Sequence, residues 1–276
     1  MAGKIWFITG ISRGLGLALA KAALARGDHV VGTTRDGKAP EGLATERLGV
    51  LALDVNDLDR AGDAVREAHA LHGRLDVIVN NAGYGLLGSV ESADAAAVQH
   101  VFEVNLFGPL AIIRAALPLL RAQASGHIVN ISSIAALAPA AGSGIYAATK
   151  AAISALSVSL AQEVAPLGIW VTAVAPGSFR TDFLSEQSMR RTAQTIEDYA
   201  ATSGRTVDGL LDKHGRQAGD PRLAAQAILA AVDADEPPLD LLLGTDALER
   251  SRRRLDRFES DLRQWEDLSS STDFTT

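Results

Sequence analysis

The amino-acid sequence predicts a doubly wound α/β fold of Rossmann type, a single parallel sheet with helices on both faces and a helical C-terminal extension. Short runs rich in β-branched and aliphatic residues alternate with helical apolar spacing from Lys4 to about Gly244, with no linker-like break. A glycine-rich turn, residues 10–16, falls between the first strand and the first helix. The unusual polar residues lie just after strands, at the sheet edge where such folds bind ligands.

Each element has its own signal. Residues 5–9 form a β-rich run that stops at Gly10, and Leu15, Leu19, Ala22 and Ala23 then repeat at helical spacing up to Gly27. Residues 29–34, 48–54 and 75–80 read as the next strands, with a helix at 57–72 before the last of them. Residues 94–122 read as a helix in two pieces, 127–132 as a strand, 146–165 as a helix and 169–175 as a strand. A polar stretch at 185–220 precedes a helix from about Pro221 and a last strand at 239–243. Strands this short, separated by helices, connect by right-handed crossovers and therefore pair in parallel. Residues 1–245 are expected to form one nucleotide-binding and catalytic domain, with 185–220 as a substrate lid and 246–276 as the extension.

Composition narrows the function. The chain has 276 residues, 47% of them apolar and 21% charged, with a net charge of −7. Its Lys and Arg are scattered except around residues 250–254, where acidic residues interleave, so no nucleic-acid partner is expected. The absence of cysteine excludes disulfides, thiolate catalysis and cysteine metal sites, and no metal site is predicted. No cleavable leader and no apolar stretch long enough for a bilayer is read from the chain, so a cytoplasmic protein without a membrane partner is expected.

The turn Thr9-Gly10-Ile11-Ser12-Arg13-Gly14-Leu15-Gly16 would let backbone approach a pyrophosphate at a helix N-terminus, with three residues between its first two glycines. The 29–34 strand ends at Arg35, with no carboxylate until Asp36. A carboxylate there would hold an adenosine ribose hydroxyl and repel a 2′-phosphate. Arg35 and Arg13 offer guanidinium forks suited to that phosphate, so NADP(H) is expected over NAD(H).

Tyr146 and Lys150, four residues apart on a helix, share a face. An ammonium beside a phenol favours phenolate, and moving a tyrosine from about 10 to near neutrality requires roughly 4 kcal/mol. Ser132 and Ser133 end the 127–132 strand just before this helix. Asn105 stands in a helical stretch with Pro109 four residues on, which removes the donor for the Asn105 carbonyl and predicts a kink that frees it for water.

With these residues in hand, the sequence closely resembles the short-chain dehydrogenase/reductase family over about residues 3–245. The resemblance rests on Gly10/Gly14/Gly16, Asp54, Asn80-Asn81-Ala82-Gly83, Asn105, Ser133, Tyr146-x-x-x-Lys150 and Pro176-Gly177. It implies Tyr146 as general acid or base, Lys150 as the group that lowers its pKa and holds the nicotinamide ribose, and Ser133 as the anchor of the substrate oxygen. Asn105 would anchor a water in the proton relay. It also implies that Ser12, Arg13, Leu15, Arg35, Asp54, Val55, Asn81, Ala82, Gly83, Pro176, Gly177 and Thr181 border the cofactor with the loop glycines. The Ala- and Ser-rich helix 151–165 is implied as a subunit interface of a homodimer or homotetramer. A catalytically silent NADP-binding regulator of the same fold would have no reason to keep Ser133, Tyr146 and Lys150 together.

Phe179, Phe183, Leu184, Met189 and Tyr199, with Tyr84 and Leu137, predict an apolar pocket for a hydrophobic ketone, aldehyde or secondary alcohol. Leu255, Phe258, Leu262 and Trp265 repeat every three or four residues and predict an amphipathic tail helix packed onto its own subunit.

Overall fold

A computed structural model describes residues 3–43, 45–185 and 187–274. Its strands are β1 (Ile5–Ile8), β2 (His29–Thr34), β3 (Leu48–Ala52), β4 (Val77–Asn80), β5 (Gly85–Leu87), β6 (Gly126–Ile131), β7 (Ile169–Pro176), β8 (Met189–Arg191) and β9 (Asp240–Leu243). Seven of them form the central parallel sheet in the order β3-β2-β1-β4-β6-β7-β9, and β5 pairs separately with β8. The order reverses at β1, so β1 and β4 diverge to opposite crossovers and leave a crevice beyond their carboxyl ends. The register pairs Phe7 with Val31 on one side and with Ile78 on the other.

Side-chain alternation divides the core. Phe7, Ile78 and Ile128 face one layer, where α2 (Leu58–His72), α4 (Gly108–Gln123) and α5 (Gly144–Val164) pack. Trp6, Ile8 and Val79 face the other, covered by α1 (Gly14–Ala25) and α7 (Pro221–Asp233). Burial on both faces explains why the strands read as unbroken apolar runs.

Helix starts follow local chemistry. Asp57, Asp94 and Asp220 cap α2, α3 (Ala95–Phe102) and α7 by accepting backbone N–H groups, and Pro221 opens α7. The start of α1 has no side-chain cap and no acidic residue in its first turn. Its N–H groups thus open onto the crevice at the end of β1.

Between α3 and α4 the chain makes one wide helical turn, Glu103–Phe107, in which the Gly108 N–H reaches back to the Glu103 carbonyl. The break expected from Pro109 is therefore a π-turn centred on Asn105, and Pro109 sits harmlessly at the start of α4. The helical runs Ala95–Gln123 and Gly144–Leu167 are, by length and composition, apolar enough to cross a bilayer, contrary to the sequence reading. Their apolar residues, including Ile112, Leu120, Ile153 and Leu160, are buried against the sheet.

The 185–220 stretch is more ordered than its polarity suggests. Its β8 runs parallel to β5, and α6 (Arg205–Leu211) adds Val207 to a small core with Leu87 and Met189. The final helix, α8 (Thr245–Ser270), buries Ala247 and Ser251 in its first two turns. The expectation that the rest packs on its own subunit is wrong: Leu255, Phe258, Leu262 and Trp265 are exposed.

Candidate active site

The carboxyl edge of the sheet opens into a cleft of about 1010 Å³. The glycine turn forms one wall. Gly10 and Gly14 have φ of +71° and +61°, conformations that suit glycine, and a Cβ at Gly14 would project into the cleft toward Thr181. This leaves bare backbone and the uncapped start of α1 facing the space, which fits the pyrophosphate of a dinucleotide. Gly16 has a different duty from the one expected: it does not line the cleft, and a Cβ there would lie 2.4 Å from both the Asn81 amide and the Gly10 carbonyl.

The turn is braced from β4. Asn81 Nδ2 donates to the Thr9 and Gly10 carbonyls at 2.9 and 3.0 Å, and the Asn81 and Ala82 N–H groups both donate to Thr9 Oγ1 at 3.0 Å. Thr9, which sequence reasoning passed over as a strand residue, is thus the hub of the turn. Ser12, Leu15, Arg35, Asp54, Val55, Asn81, Ala82, Gly83, Pro176, Gly177 and Thr181 all line the cleft.

The two arginines part company. Arg13 lines the cleft but donates to Gln187 Oε1 and Ser188 Oγ, both at 2.8 Å, tying the glycine turn to the 185–220 segment instead of converging with Arg35. Arg35 forms no ion pair among the described residues. Asp36 accepts from the Lys38 N–H and Thr34 Oγ1, which holds its carboxyl below the usual range.

Tyr146, Lys150 and Ser133 come together deep in the cleft. Ser133 ends the loop after β6 in extended conformation, and its hydroxyl accepts from the Ala135 N–H and meets the Tyr146 phenol. Ser132 is committed elsewhere, donating to the Lys150 carbonyl and bonding Ser154 at 2.6 Å. Lys150 Nζ donates to the Ile131 carbonyl at 2.8 Å and stands 6.0 Å from the centre of the Tyr146 ring. A buried ladder from Asn80 through Asn130 to Ser157 fixes α5 to the sheet at this level.

The electrostatics reverse one expectation. Burial pushes Tyr146 up to about 12 against the lowering effect of Ser133, and burial pushes Lys150 down to about 8. Desolvation thus disfavours phenolate, and the lowering influence on Tyr146 comes from the Ser133 hydroxyl.

Asn105 is buried and does not line the cleft. Its side chain grips the backbone of Tyr84, accepting from the N–H at 3.1 Å and donating to the carbonyl at 2.9 Å, and also donates to Thr149 Oγ1. A Cβ on Gly83 would come within 2.9 Å of Asn105 Oδ1 and 3.5 Å of Lys150 Nζ, so Gly83 is where β4, the π-turn and α5 converge.

The rest of the cleft is only partly the apolar pocket expected. Phe179, Phe183, Leu184, Met189 and Tyr84 line it, but Leu137 and Tyr199 are exposed outside it, and Tyr199 instead donates to Glu91. Polar groups that the sequence did not single out join them. Gln217 is buried with neither amide atom partnered among the described residues, and Arg250 reaches in from α8 while donating to the Ala138 carbonyl. Asp246, also on α8, accepts the Ser178 N–H at 2.9 Å. These residues follow the last strand or lie in a polar stretch, where no spacing pattern announces them.

A parallel sheet with a glycine turn at its switch point and a Ser, Tyr and Lys in one cleft defines a Rossmann-type oxidoreductase. The chain belongs to the short chain dehydrogenase family, which matches residues 4–192. It is 39% identical over 270 residues to Oxidoreductase BOA17 of Botryotinia fuckeliana, covering 96% of this chain and 98% of that one. A short-chain dehydrogenase from Streptomyces avermitilis has the same architecture, with a TM-score of 0.91, 40% identity and 99% of each chain covered. More distant are ElxO with NADP bound (TM-score 0.74, 27% identity, 90% of this chain and 99% of that one) and a chain from Burkholderia phymatum in complex with NAD (0.81, 25%, 94% and 95%).

Proposed function

We propose that this protein is an NADP(H)-dependent oxidoreductase that moves hydride between nicotinamide and a hydrophobic ketone, aldehyde or secondary alcohol. The observation that carries the reading is the convergence of Ser133, Tyr146 and Lys150 in the cleft that the glycine turn opens. When bound, the dinucleotide supplies or accepts the hydride.

The chain's own residues handle the oxygen and its proton. At neutral pH the Tyr146 phenol holds its proton at Oη, because burial keeps its pKa near 12. Ser133 and Tyr146 hydroxyls hold the carbonyl oxygen, and as that oxygen gains negative charge Tyr146 gives it the proton. Oxidation of an alcohol runs the same proton back to Tyr146. Lys150 holds the nicotinamide ribose and supports charge on the phenol. Asn105 is a positioning residue, fixing the turn at Tyr84 beside Lys150 and offering its carbonyl to a relay water.

Arg35 supports the preference for NADP(H), since it stands at the cleft without an ion partner among the described residues while Asp36 is satisfied locally. Phe179, Phe183, Leu184 and Met189 hold the apolar body of the substrate, and Gln217 and Arg250 take its polar end. The 185–220 segment serves as the lid, latched to the glycine turn through Arg13. The protein works on a small molecule in the cytoplasm, without nucleic acid or membrane, as a homodimer or homotetramer. Its subunits meet through the small exposed residues Ala151, Ala155 and Ser159 of α5.

A panel of ketones, aldehydes and secondary alcohols, followed by NADPH and NADH absorbance, tests this reading. Tyr146→Phe lowers turnover by a factor on the order of 10² to 10⁴ with NADPH still bound, and Arg35→Ser weakens NADPH on the order of tenfold or more while sparing NADH. Near-wild-type turnover in Tyr146→Phe, or equal loss for both nucleotides in Arg35→Ser, overturns the corresponding assignment.

A further inference from the structure

From Arg252 to Ser270, α8 has no buried residue; it leaves the body as a bare helix of about 28 Å. An isolated helix of this length is marginal in water, and its three own-chain ion pairs, Glu249–Arg253, Arg257–Asp261 and Glu259–Arg263, add only a few tenths of a kcal/mol each. Its stability therefore depends on covering its apolar stripe. Leu255, Phe258, Leu262 and Trp265, each half or more exposed, repeat at alternating three- and four-residue steps, as in a coiled-coil seam.

The charges beside that stripe identify what covers it. The first half of the projecting helix is basic, with Arg252 and Arg254 in no ion pair among the described residues. The last half is acidic, with Glu266 and Asp267 likewise unpaired. In the middle, Glu259 and Asp261 are already neutralised by Arg263 at 2.9 Å and Arg257 at 3.1 Å. A helix whose two halves carry opposite charge is complementary to itself reversed, and an isologous pair of identical helices meets that requirement.

We propose that α8 pairs antiparallel with α8 of a second copy of this chain. The symmetric register sets Leu255 against Trp265 and Phe258 against Leu262 of the second copy, a smaller side chain facing a larger one in each layer. Arg252 then lies beside Glu266 of the second copy, on the same edge of the seam and about four turns away along its own helix. Parallel pairing would bring the arginines together at one end and the acids together at the other. This interface lies apart from the small-residue face of α5.

Because the chain has no cysteine, single engineered cysteines report the register directly. Leu255→Cys and Trp265→Cys full-length proteins, mixed and oxidised, yield the heterodimeric disulfide, while each alone stays uncross-linked. Self-cross-linking of Leu255→Cys, or no cross-link in the mixture, overturns the proposal. Sedimentation provides the second readout. Arg252→Glu and Glu266→Arg each shift the assembly at least several-fold toward its smaller species, and the double charge reversal restores it. Unchanged mass in every charge variant overturns the proposal, and NADPH binding in each variant confirms that the fold is intact.

Discussion

Lys150 carries a conflict between folding and chemistry. Its ammonium is buried beside Tyr146 with a single carbonyl partner, and burial lowers its pKa from 10.5 to about 8. The unfolded chain therefore binds a proton that the folded chain releases between pH 8 and 10.5. The folded state is penalised below pH 8 by up to about 3 kcal/mol, and this penalty fades as pH rises through the window. Lys150→Met removes the penalty but leaves the Ile131 carbonyl unpartnered, so a net gain of about 1–2 kcal/mol at pH 7 is expected, with turnover lost. Denaturant unfolding at pH 7 and 9.5 checks this: wild type gains stability between the two and the variant does not. At this scale the residues alone left Ser132 and Ser133 open, the family resemblance pointed to Ser133, and the structure turns Ser132 into the helix. The sequence did not reveal that Arg13 belongs to Gln187 and Ser188 or that Gln217 is buried unpartnered, because these contacts join segments far apart in the chain.

Among the elements, β6 and β7 hold a titratable group in the sheet. His127 on β6 bonds Thr172 of β7 at 2.8 Å, and burial pushes it down to about 4. A histidine whose folded pKa is depressed favours unfolding as pH falls from 6.5 toward 4, because only the unfolded chain takes the proton; the loss reaches about 3 kcal/mol. His127→Gln keeps a hydrogen-bonding group toward Thr172 without titrating, so its stability should change less between pH 6.5 and 5 than that of wild type, as measured by urea midpoints. An equal acid dependence in both proteins would remove His127 from this account. Element positions were largely readable, because short apolar runs and apolar residues at helical spacing are local signals. The three-residue strands β5 and β8 were not, since neither run is long enough to show a period and each is a strand only through the other. A kink at Asn105 was expected from Pro109, whereas the structure has a π-turn whose added residue lies in Glu103–Phe107 itself.

For the whole molecule, the last helix joins two roles. Its first turns close the cleft through Asp246 and Arg250, and the remainder projects outward. A chain ending after Ser251 is expected to keep NADPH affinity within about threefold, since both cleft residues remain and the loss lies outside the site. A chain ending before Thr245 loses Asp246 from the Ser178 N–H and exposes the Gly177 turn, so its affinity should fall at least tenfold. Nucleotide titration of the two truncations separates these outcomes, and equal affinity in both would deny α8 any part in the cleft.

The sequence alone determined the parallel sheet, the glycine turn and the Tyr146–Lys150 pair, because each is written in periodicity or in spacings of a few residues, while Ser133 was singled out only through the resemblance to the family. Only the tertiary structure decided the burial of Tyr146 and Lys150, the separate contacts of Arg13 and Arg35, the polar groups that line the cleft and the exposure of the α8 stripe. Those properties depend on desolvation and on neighbours distant in the chain, which exist only once the backbone has folded.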